Sequence, residues 1–373
     1  MDICISKSEL SKALSYTQRI AESKTTMPIL VNVLLSASRN ELKISGSDLE
    51  ITAIARAEAD VAQVGSITVN AKNFSDIVRE LPDGMVHITV NEAARVKITA
   101  DSTVVNMIGV SADEYPTLNG IGINVVNKIN SAHLLEMISK TIYAVSLDDT
   151  RFNLTGVCFK IEKGAKGEKF LKMAATDGHR LSVITRPAGE VDFEGSCIVP
   201  RKGLGELRRI LETQTDAFVG LTIQDNFLVV DTENVKMSAK LIDGEFPDYS
   251  QVLPSTKGVM AVLNSGALSQ ALKRVSLMVS EKDKKVRFEF SENLLKISSS
   301  SPELGDAKEE LEITYSGEPI CVGYNARYVF DIASSLKEDQ NIVIEVHGPI
   351  GPGRFYAEGD ESYIGIVMPV RLS

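Results

Sequence analysis

Three stretches of the chain open with the same spacing of apolar residues. Leu10 and Leu14, Leu134 and Ile138, and Leu268 and Leu272 each stand four residues apart, which places each pair on one helix face. A second set has apolar residues at i, i+3 and i+7: Phe74, Ile77 and Leu81; Leu204, Leu207 and Leu211; Val329, Ile332 and Leu336. Four residues before each set stands Asn70, Pro200 or Asn325, where a strand-like run gives way to the helical spacing. The first set recurs after 124 and 134 residues and the second after 130 and 125. Two landmarks thus agree on a period near 125, and 373 residues hold three periods. The predicted helices cover 7–22, 72–81, 128–145, 201–212, 264–280 and 325–337.

Between the helices the pattern switches to alternation, the mark of strands with one buried face. Val31–Ala37, Glu41–Ser47 and Glu50–Asp60 read as successive strands, divided at Arg39-Asn40 and Ser47-Asp48. Met85–Asn91, Arg95–Ala100 and Thr103–Val110 follow the second helix in the same way, with turn chemistry at Pro82-Asp83-Gly84 and Asn91-Glu92-Ala93. Each third therefore reads as strand, helix, three strands, twice over. Six such units make an α+β protein dominated by antiparallel sheet. The expected domains are 1–124, 125–254 and 255–373.

Charge changes this picture more than composition does. The chain is 43% hydrophobic and 24% charged, as globular proteins are, and carries a net charge of −10. Spread evenly, that acidity would argue against nucleic acid. It is not spread evenly: the six helical segments together carry +7, which leaves −17 for strands and loops. One basic position even recurs in register, at Lys72, Lys202 and Arg327. A single basic helix face is ordinarily just solvated. Five leaning the same way, with the sixth neutral, point to a shared surface facing a polyanion. No run of about 18 apolar residues predicts a membrane span, and the first residues, with an acidic second position, do not read as a signal peptide. A cytoplasmic location is expected.

Enzymatic constellations are missing. The sequence has no G-x-x-x-x-G-K-[ST], H-E-x-x-H or G-x-S-x-G pattern. Gly348-Pro349-Ile350-Gly351-Pro352-Gly353 is rich in glycine, but its prolines have no N–H to offer a phosphate, so a loop between strands is expected. His87, His133, His179 and His347 show no metal-ligand spacing, and Cys4, Cys158, Cys197 and Cys321 lie far apart in apolar runs, as buried thiols do. No cofactor or metal is expected. Asp177-Gly178-His179-Arg180 sets a His beside an Asp, which could serve a hydrolase or transferase. Asp-Gly between two apolar runs is more simply a hairpin turn.

Several blocks carry a resemblance. Ala175-Thr176-Asp177-Gly178-His179-Arg180-Leu181, Val199-Pro200-Arg201-Lys202-Gly203, Gly244-Glu245-Phe246-Pro247-Asp248-Tyr249 and Met368-Pro369-Val370-Arg371-Leu372 resemble the bacterial DNA polymerase III beta subunits, the sliding clamps. Thr26-Met27-Pro28-Ile29-Leu30, Gly46-Ser47-Asp48-Leu49-Glu50 and Thr314-Tyr315-Ser316-Gly317 fit the same family.

The resemblance implies a head-to-tail homodimeric ring of three similar domains per subunit, helices inside and sheets outside. Its activity would be non-enzymatic: encircling duplex DNA without sequence preference and tethering the replicative polymerase. The partners implied are the DNA polymerase III alpha subunit, the clamp loader, and other polymerases and repair proteins carrying clamp-binding peptides. Those peptides would enter a groove lined by Leu154, Thr176, Gly178, His179, Arg180, Leu181, Pro247, Val252, Asn325, Tyr328, Val367, Met368, Pro369, Val370, Arg371 and Leu372. Gln251 stands where the family often has a basic residue, Val370 where Met is common, and Ser373 extends past the usual terminal Leu. For the DNA-facing surface, charge and helix placement favour Lys12, Arg19, Lys72, Arg79, Lys202, Arg208, Lys273 and Arg327, and Lys24 matches a basic position used in the family. The subunit interface would join Val105 and Met107 to Leu277 and Met278. The chief rival reading is a hydrolase or transferase at the His179 turn, and a protein-interaction scaffold that never encircles DNA is a third.

Overall fold

A computed structural model describes residues 1–21, 27–280 and 284–372. The first third runs β1 (Asp2–Ser6), α1 (Lys7–Ala21), β2 (Asn32–Ser38), β3 (Glu41–Ser47), β4 (Ile51–Glu58) and a short extra strand β5 (Asp60–Gln63). It continues with β6 (Gly65–Asn70), α2 (Ala71–Glu80), β7 (Met85–Val90), β8 (Arg95–Ala100) and β9 (Thr103–Ile108). The middle third repeats the plan: β10 (Lys128–Asn130), α3 (Ser131–Ser139), β11 (Gly156–Lys163), β12 (Lys169–Thr176), β13 (Arg180–Pro187), then β14 (Ser196–Pro200), α4 (Arg201–Glu212), β15 (Phe218–Gln224), β16 (Phe227–Asp231) and β17 (Val235–Lys240). The last third gives β18 (Val259–Asn264), α5 (Ser265–Val275), β19 (Lys285–Ser291), β20 (Leu294–Ser301), β21 (Gly305–Glu312), then β22 (Ile320–Asn325), α6 (Ala326–Ser334), β23 (Asn341–Val346), β24 (Gly353–Ala357) and β25 (Asp360–Val367). Six strand–helix–three-strand units are therefore present, as the periodicity predicts.

The asparagines before the helices act as caps. Asn70 Oδ1 accepts from Asn73 N at 2.9 Å, Asn264 Oδ1 from Ala267 N at 2.8 Å, and Asn325 Oδ1 from Arg327 N at 3.0 Å, each satisfying a backbone donor that the first helical turn leaves open. Three helices are shorter than predicted: α6 ends at Ser334, and α3 and α5 lose more, with 128–130 forming the strand β10 in place of a first helical turn. α3 stops at Ser139, where the Thr141 hydroxyl donates to Met137 O at 2.7 Å, and the chain goes on in a single 3-10 turn, Ile142–Ala144; side chains that bond the backbone this way compete with helix propagation. α5 likewise ends at Val275 and tightens into a 3-10 turn, Ser276–Met278. The predicted strand Glu50–Asp60 divides, because β4 pairs with β3 while β5 turns to β1.

The chain folds as two compact units, and the middle third contributes to both. Residues 1–132, 189–193 and 202–241 form the first, and 133–188, 194–201 and 242–373 the second. In the first unit one sheet has the order β5-β1-β7-β8-β9 and the other β10-β15-β16-β17-β4-β3-β2-β6. In the second the orders are β14-β11-β12-β13-β25-β24-β23-β18 and β21-β20-β19-β22. Neighbouring strands in all four sheets run antiparallel. Each eight-stranded sheet is continuous across two thirds of the chain: β17 meets β4 from Val235↔Ala55 to Ala239↔Ile51, and β13 meets β25 from Arg180↔Val367 to Ile184↔Tyr363.

The predicted apolar stripes supply the cores. Leu10 and Leu14 of α1, Phe74 of α2, Leu204 and Leu207 of α4, Leu268 and Leu272 of α5, and Val329 and Ile332 of α6 are all buried, each contributing on the order of 1.5–3 kcal/mol. In α2 the register shifts by one: Val78 is buried and Ile77 only half-buried. α1 lies so close to β3 that a Cβ on Gly46 would stand 2.5 Å from Thr17 O. Among the described residues no helix is long and apolar enough to cross a membrane, and no His/Cys/Asp/Glu cluster could hold a metal ion. All four cysteines are free, but only Cys158 is fully buried; Cys4, Cys197 and Cys321 are half-buried.

Candidate peptide groove, basic helix faces and open strand edges

The sequence block Thr176–Leu181 is a hairpin turn, as its Asp-Gly step predicts. It joins β12 to β13, and Thr176 pairs with Leu181 across it. Gly178 sits at φ +87°, a conformation that an L side chain adopts only with strain. Asp177 organises the turn: its Oδ1 accepts from His179 N at 2.9 Å and Arg180 N at 3.1 Å, and its Oδ2 from Arg180 Nε at 3.0 Å. The Thr176 hydroxyl donates to Arg180 O at 2.6 Å, and Arg151 Nη1 donates to Asp177 O at 2.9 Å. His179 is thereby displayed at the surface by its backbone, with its ring in no catalytic pairing among the described residues.

Arg180 ties the turn to the rest of the second unit. Its Nη1 donates to Asp331 Oδ2 at 2.7 Å, its Nη2 donates to Tyr143 O, and its guanidinium lies 4.3 Å from the Tyr328 ring centroid and 5.4 Å from that of Tyr143. Asp331 Oδ1 in turn pairs with Arg327 Nε at 2.8 Å. Burial pushes the Tyr143 hydroxyl up to about 12, so it stays neutral as it hydrogen-bonds Tyr363 at 2.8 Å.

Apolar walls come from both sides of this turn. Leu181 belongs to a buried cluster with Cys158, Ala174, Val183 and Ile366, covered by Phe246, Tyr249, Leu253 and Ile364. The Gly244–Tyr249 block is fastened by Asn153 Nδ2, which donates to Glu245 O at 3.1 Å beside the buried Leu154; Pro247 is exposed on it. Met368 N donates to His179 O at 2.9 Å and Val370 N to Gly323 O at 2.9 Å, which lays the terminal residues along this region. Leu372 comes so close to Gly323 that a Cβ there would meet its Cδ2 at 2.9 Å. Val252, Met368 and Leu372 are 39%, 39% and 38% exposed, so large apolar surface remains open beside a fixed polar frame. Such a surface suits a short peptide with apolar anchors.

The structure thus brings Thr176–Leu181, Tyr328, Val367, Met368, Val370 and Leu372 together, with Leu154, Pro247 and Val252 on adjoining segments. Asn325 is engaged as the α6 cap; Pro369 and Arg371 lie in the same tail. Sequence reasoning missed Tyr143, Arg151, Phe246, Tyr249 and Asp331. Phe246 and Tyr249 were within reach, since they stand inside a block that carries the family resemblance.

In the first unit, Lys12 and Arg19 are exposed on α1, Lys72 and Arg79 on α2, and Lys202 on α4, with Arg208 half-buried there. In the second, Lys273 and Arg327 are exposed on α5 and α6. Acidic neighbours already engage several: Arg79 pairs with Asp76, Lys202 with Asp48, Arg208 with Glu212 at 3.3 Å, and Arg327 with Asp331. Lys12, Arg19, Lys72 and Lys273 have no ion pair among the described residues. Lys24 and Ser373 lie outside the described residues.

Two of the strands that end a sheet carry apolar residues predicted at the subunit interface or lie beside them. β9 ends the five-stranded sheet and β21 the four-stranded one. On β9, Val105 and Met107 are half-buried, while Val104 and Ile108 are 52% and 75% exposed. Leu277 is 73% exposed and Met278 half-buried. Exposed apolar residues beside an unpaired edge mark an association surface.

Comparison with known proteins covers the whole chain. Models of the N-terminal, central and C-terminal domains of the DNA polymerase III beta subunit match residues 1–119, 128–248 and 250–371. The chain is 31% identical over 373 residues to the beta sliding clamp of Vibrio cholerae and 32% identical over 373 residues to that of Escherichia coli K12, covering 100% of both chains in each case. The crystal structure of a sliding clamp from Bartonella birtlesii, bound to griselimycin, superposes with a TM-score of 0.91 at 30% identity, with 100% of each chain covered.

Proposed function

The chain belongs to the DNA polymerase III beta subunit family, the beta sliding clamps, and from that premise we propose that two copies close head to tail around duplex DNA. The family is the non-catalytic processivity subunit of the polymerase, so the function is tethering rather than chemistry. Its members bind DNA, and bind polymerase partners through a peptide-binding region.

The order of strands in the sheets carries the ring proposal. The last strand of the first half-unit in one third pairs with the last strand of the second half-unit in the next: β4 with β17, and β13 with β25. Applied once more, the rule calls for β21 to pair with a β9, and each of these strands ends its sheet with one edge unpaired. A second copy supplies the missing partner, and two identical junctions close the set without open filaments. Val105 and Met107, with Val104 and Ile108, then meet the region of Leu277 and Met278. The three domains are 1–124, 125–254 and 255–373.

Lys12, Arg19, Lys24, Lys72, Arg79, Lys202, Arg208, Lys273 and Arg327 supply sequence-independent phosphate contacts. The groove receives peptides of the DNA polymerase III alpha subunit, the clamp loader, and other polymerases and repair proteins, in the cytoplasm. No cofactor is needed.

A topological experiment tests this. The labelled protein is loaded onto a nicked circular plasmid by a cognate loader with ATP, and the plasmid is then cut once in high salt. Retention on the circle with release on linearisation is the expected result. Equal loss from both forms, with a loader shown to work on a known clamp, would put the scaffold reading ahead.

A further inference from the structure

Where the end of α5 meets the start of α6, the second unit holds a cavity of about 340 Å³, within the size range of small-ligand sites. Lys273, Lys284 and Arg327 line it, and among the described residues no acidic one does. Val279 and the half-buried ring of Phe330 add apolar wall, and Ser276 a hydroxyl. Arg327 is held in place through Nε by Asp331, its Cζ 5.8 Å from the Phe330 ring centroid, and its side chain is still 71% exposed. Lys273 and Lys284 have no ion-pair partner among the described residues.

Three cations alone would suit a bare phosphate. A ring and an apolar wall beside them suit a phosphate that carries a flat, stackable group. Aromatic side chains flanked by cations are how proteins hold unpaired bases on their backbone phosphates. We propose that this cavity seats one unpaired nucleotide, its phosphate on Lys273, Lys284 and Arg327 and its base against Phe330. A base-paired nucleotide cannot enter, because its faces are already stacked in the duplex. The site therefore reads single-stranded DNA or a free nucleotide, and the inference rests on the reading that the basic helix faces meet DNA.

The test uses the full-length protein and a ten-residue oligothymidylate containing 5-bromodeoxyuridine, with dTMP as the second probe. Ultraviolet cross-linking followed by mass spectrometry should place the adduct on the peptide that contains Phe330. Phe330→Leu, which keeps apolar bulk and removes the ring, should weaken the oligonucleotide roughly tenfold, with its melting temperature recorded as a check on folding. Lys284→Ser should flatten the salt dependence by about one phosphate contact. Competition by dTMP identifies a free nucleotide as sufficient; its failure to compete identifies a strand as the ligand. Adducts elsewhere, or unchanged affinity in both variants, would overturn the proposal. Retention on circular duplex is measured separately: its loss in the wild-type protein would sink the ring while leaving a mapped adduct standing.

Discussion

Asp331 divides its carboxylate between two arginines, Oδ2 to Arg180 in the β12–β13 turn and Oδ1 to Arg327 in the first turn of α6. Its side chain is 10% exposed, and removing one member of a buried ion pair typically costs about 3–5 kcal/mol. Asp331→Asn should lower the melting temperature and weaken a clamp-binding peptide of a polymerase alpha subunit roughly tenfold, measured by titration calorimetry. Gly178→Ala adds strain at φ +87° and sets a Cβ 3.0 Å from Arg151 Nη1; a loss of about 1 kcal/mol in stability is expected from thermal unfolding. The sequence makes one of these legible and hides the other. Asp177 and Gly178 act on their own neighbours, so a local motif announces them. Asp331 acts on Arg180, 151 residues away, and nothing in the α6 spacing tells a shared carboxylate from a solvated one.

At the scale of elements, α3 is fixed to the β13–β25 joint by charge. Arg186 on β13 donates to Glu136 on α3, Nε to Oε2 and Nη2 to Oε1, both at 2.8 Å, and also to Asp360 on β25 at 3.0 Å. Burial works against the charge on Glu136, but hydrogen bonds from Arg186 and Lys140 outweigh it and hold the carboxyl at about 2. The folded state thus binds this proton more weakly than the unfolded chain does. The stability it contributes is present above about pH 4.5 and is lost as pH falls toward 2. Melting curves of the wild type and Glu136→Gln should therefore differ at neutral pH and draw together in acid; a gap as wide at pH 2.5 as at pH 7 would contradict this. Helices and hairpins are legible because a repeated apolar spacing states them three times over. Helix ends are less so: α3 and α5 stop short where hydroxyl competition and 3-10 tightening, both local, break a continuing apolar pattern. The exposed Val104 and Ile108 are hidden because the alternation of β9 names a face, not an edge.

For the whole molecule, charge and pairing carry separate predictions. Changing Lys72, Lys202 and Arg327 together to Ser should weaken DNA association and reduce the slope of log affinity against log salt by about 0.9 for each phosphate no longer neutralised. An unchanged slope would remove these positions from the DNA-facing set. Ile108→Asp with Leu277→Asp should convert the dimer to folded monomers in sedimentation velocity, because a charge beside each free edge opposes its pairing. The two joints inside the chain answer differently. A strand cannot slide by one residue without turning every side chain to the wrong face, so β4–β17 and β13–β25 are either in register or broken. Each is also tethered covalently, so its two strands stay at high effective concentration if they part. In mechanical terms they are welds. The proposed contact between copies has no such tether, which makes it the natural clasp of the ring.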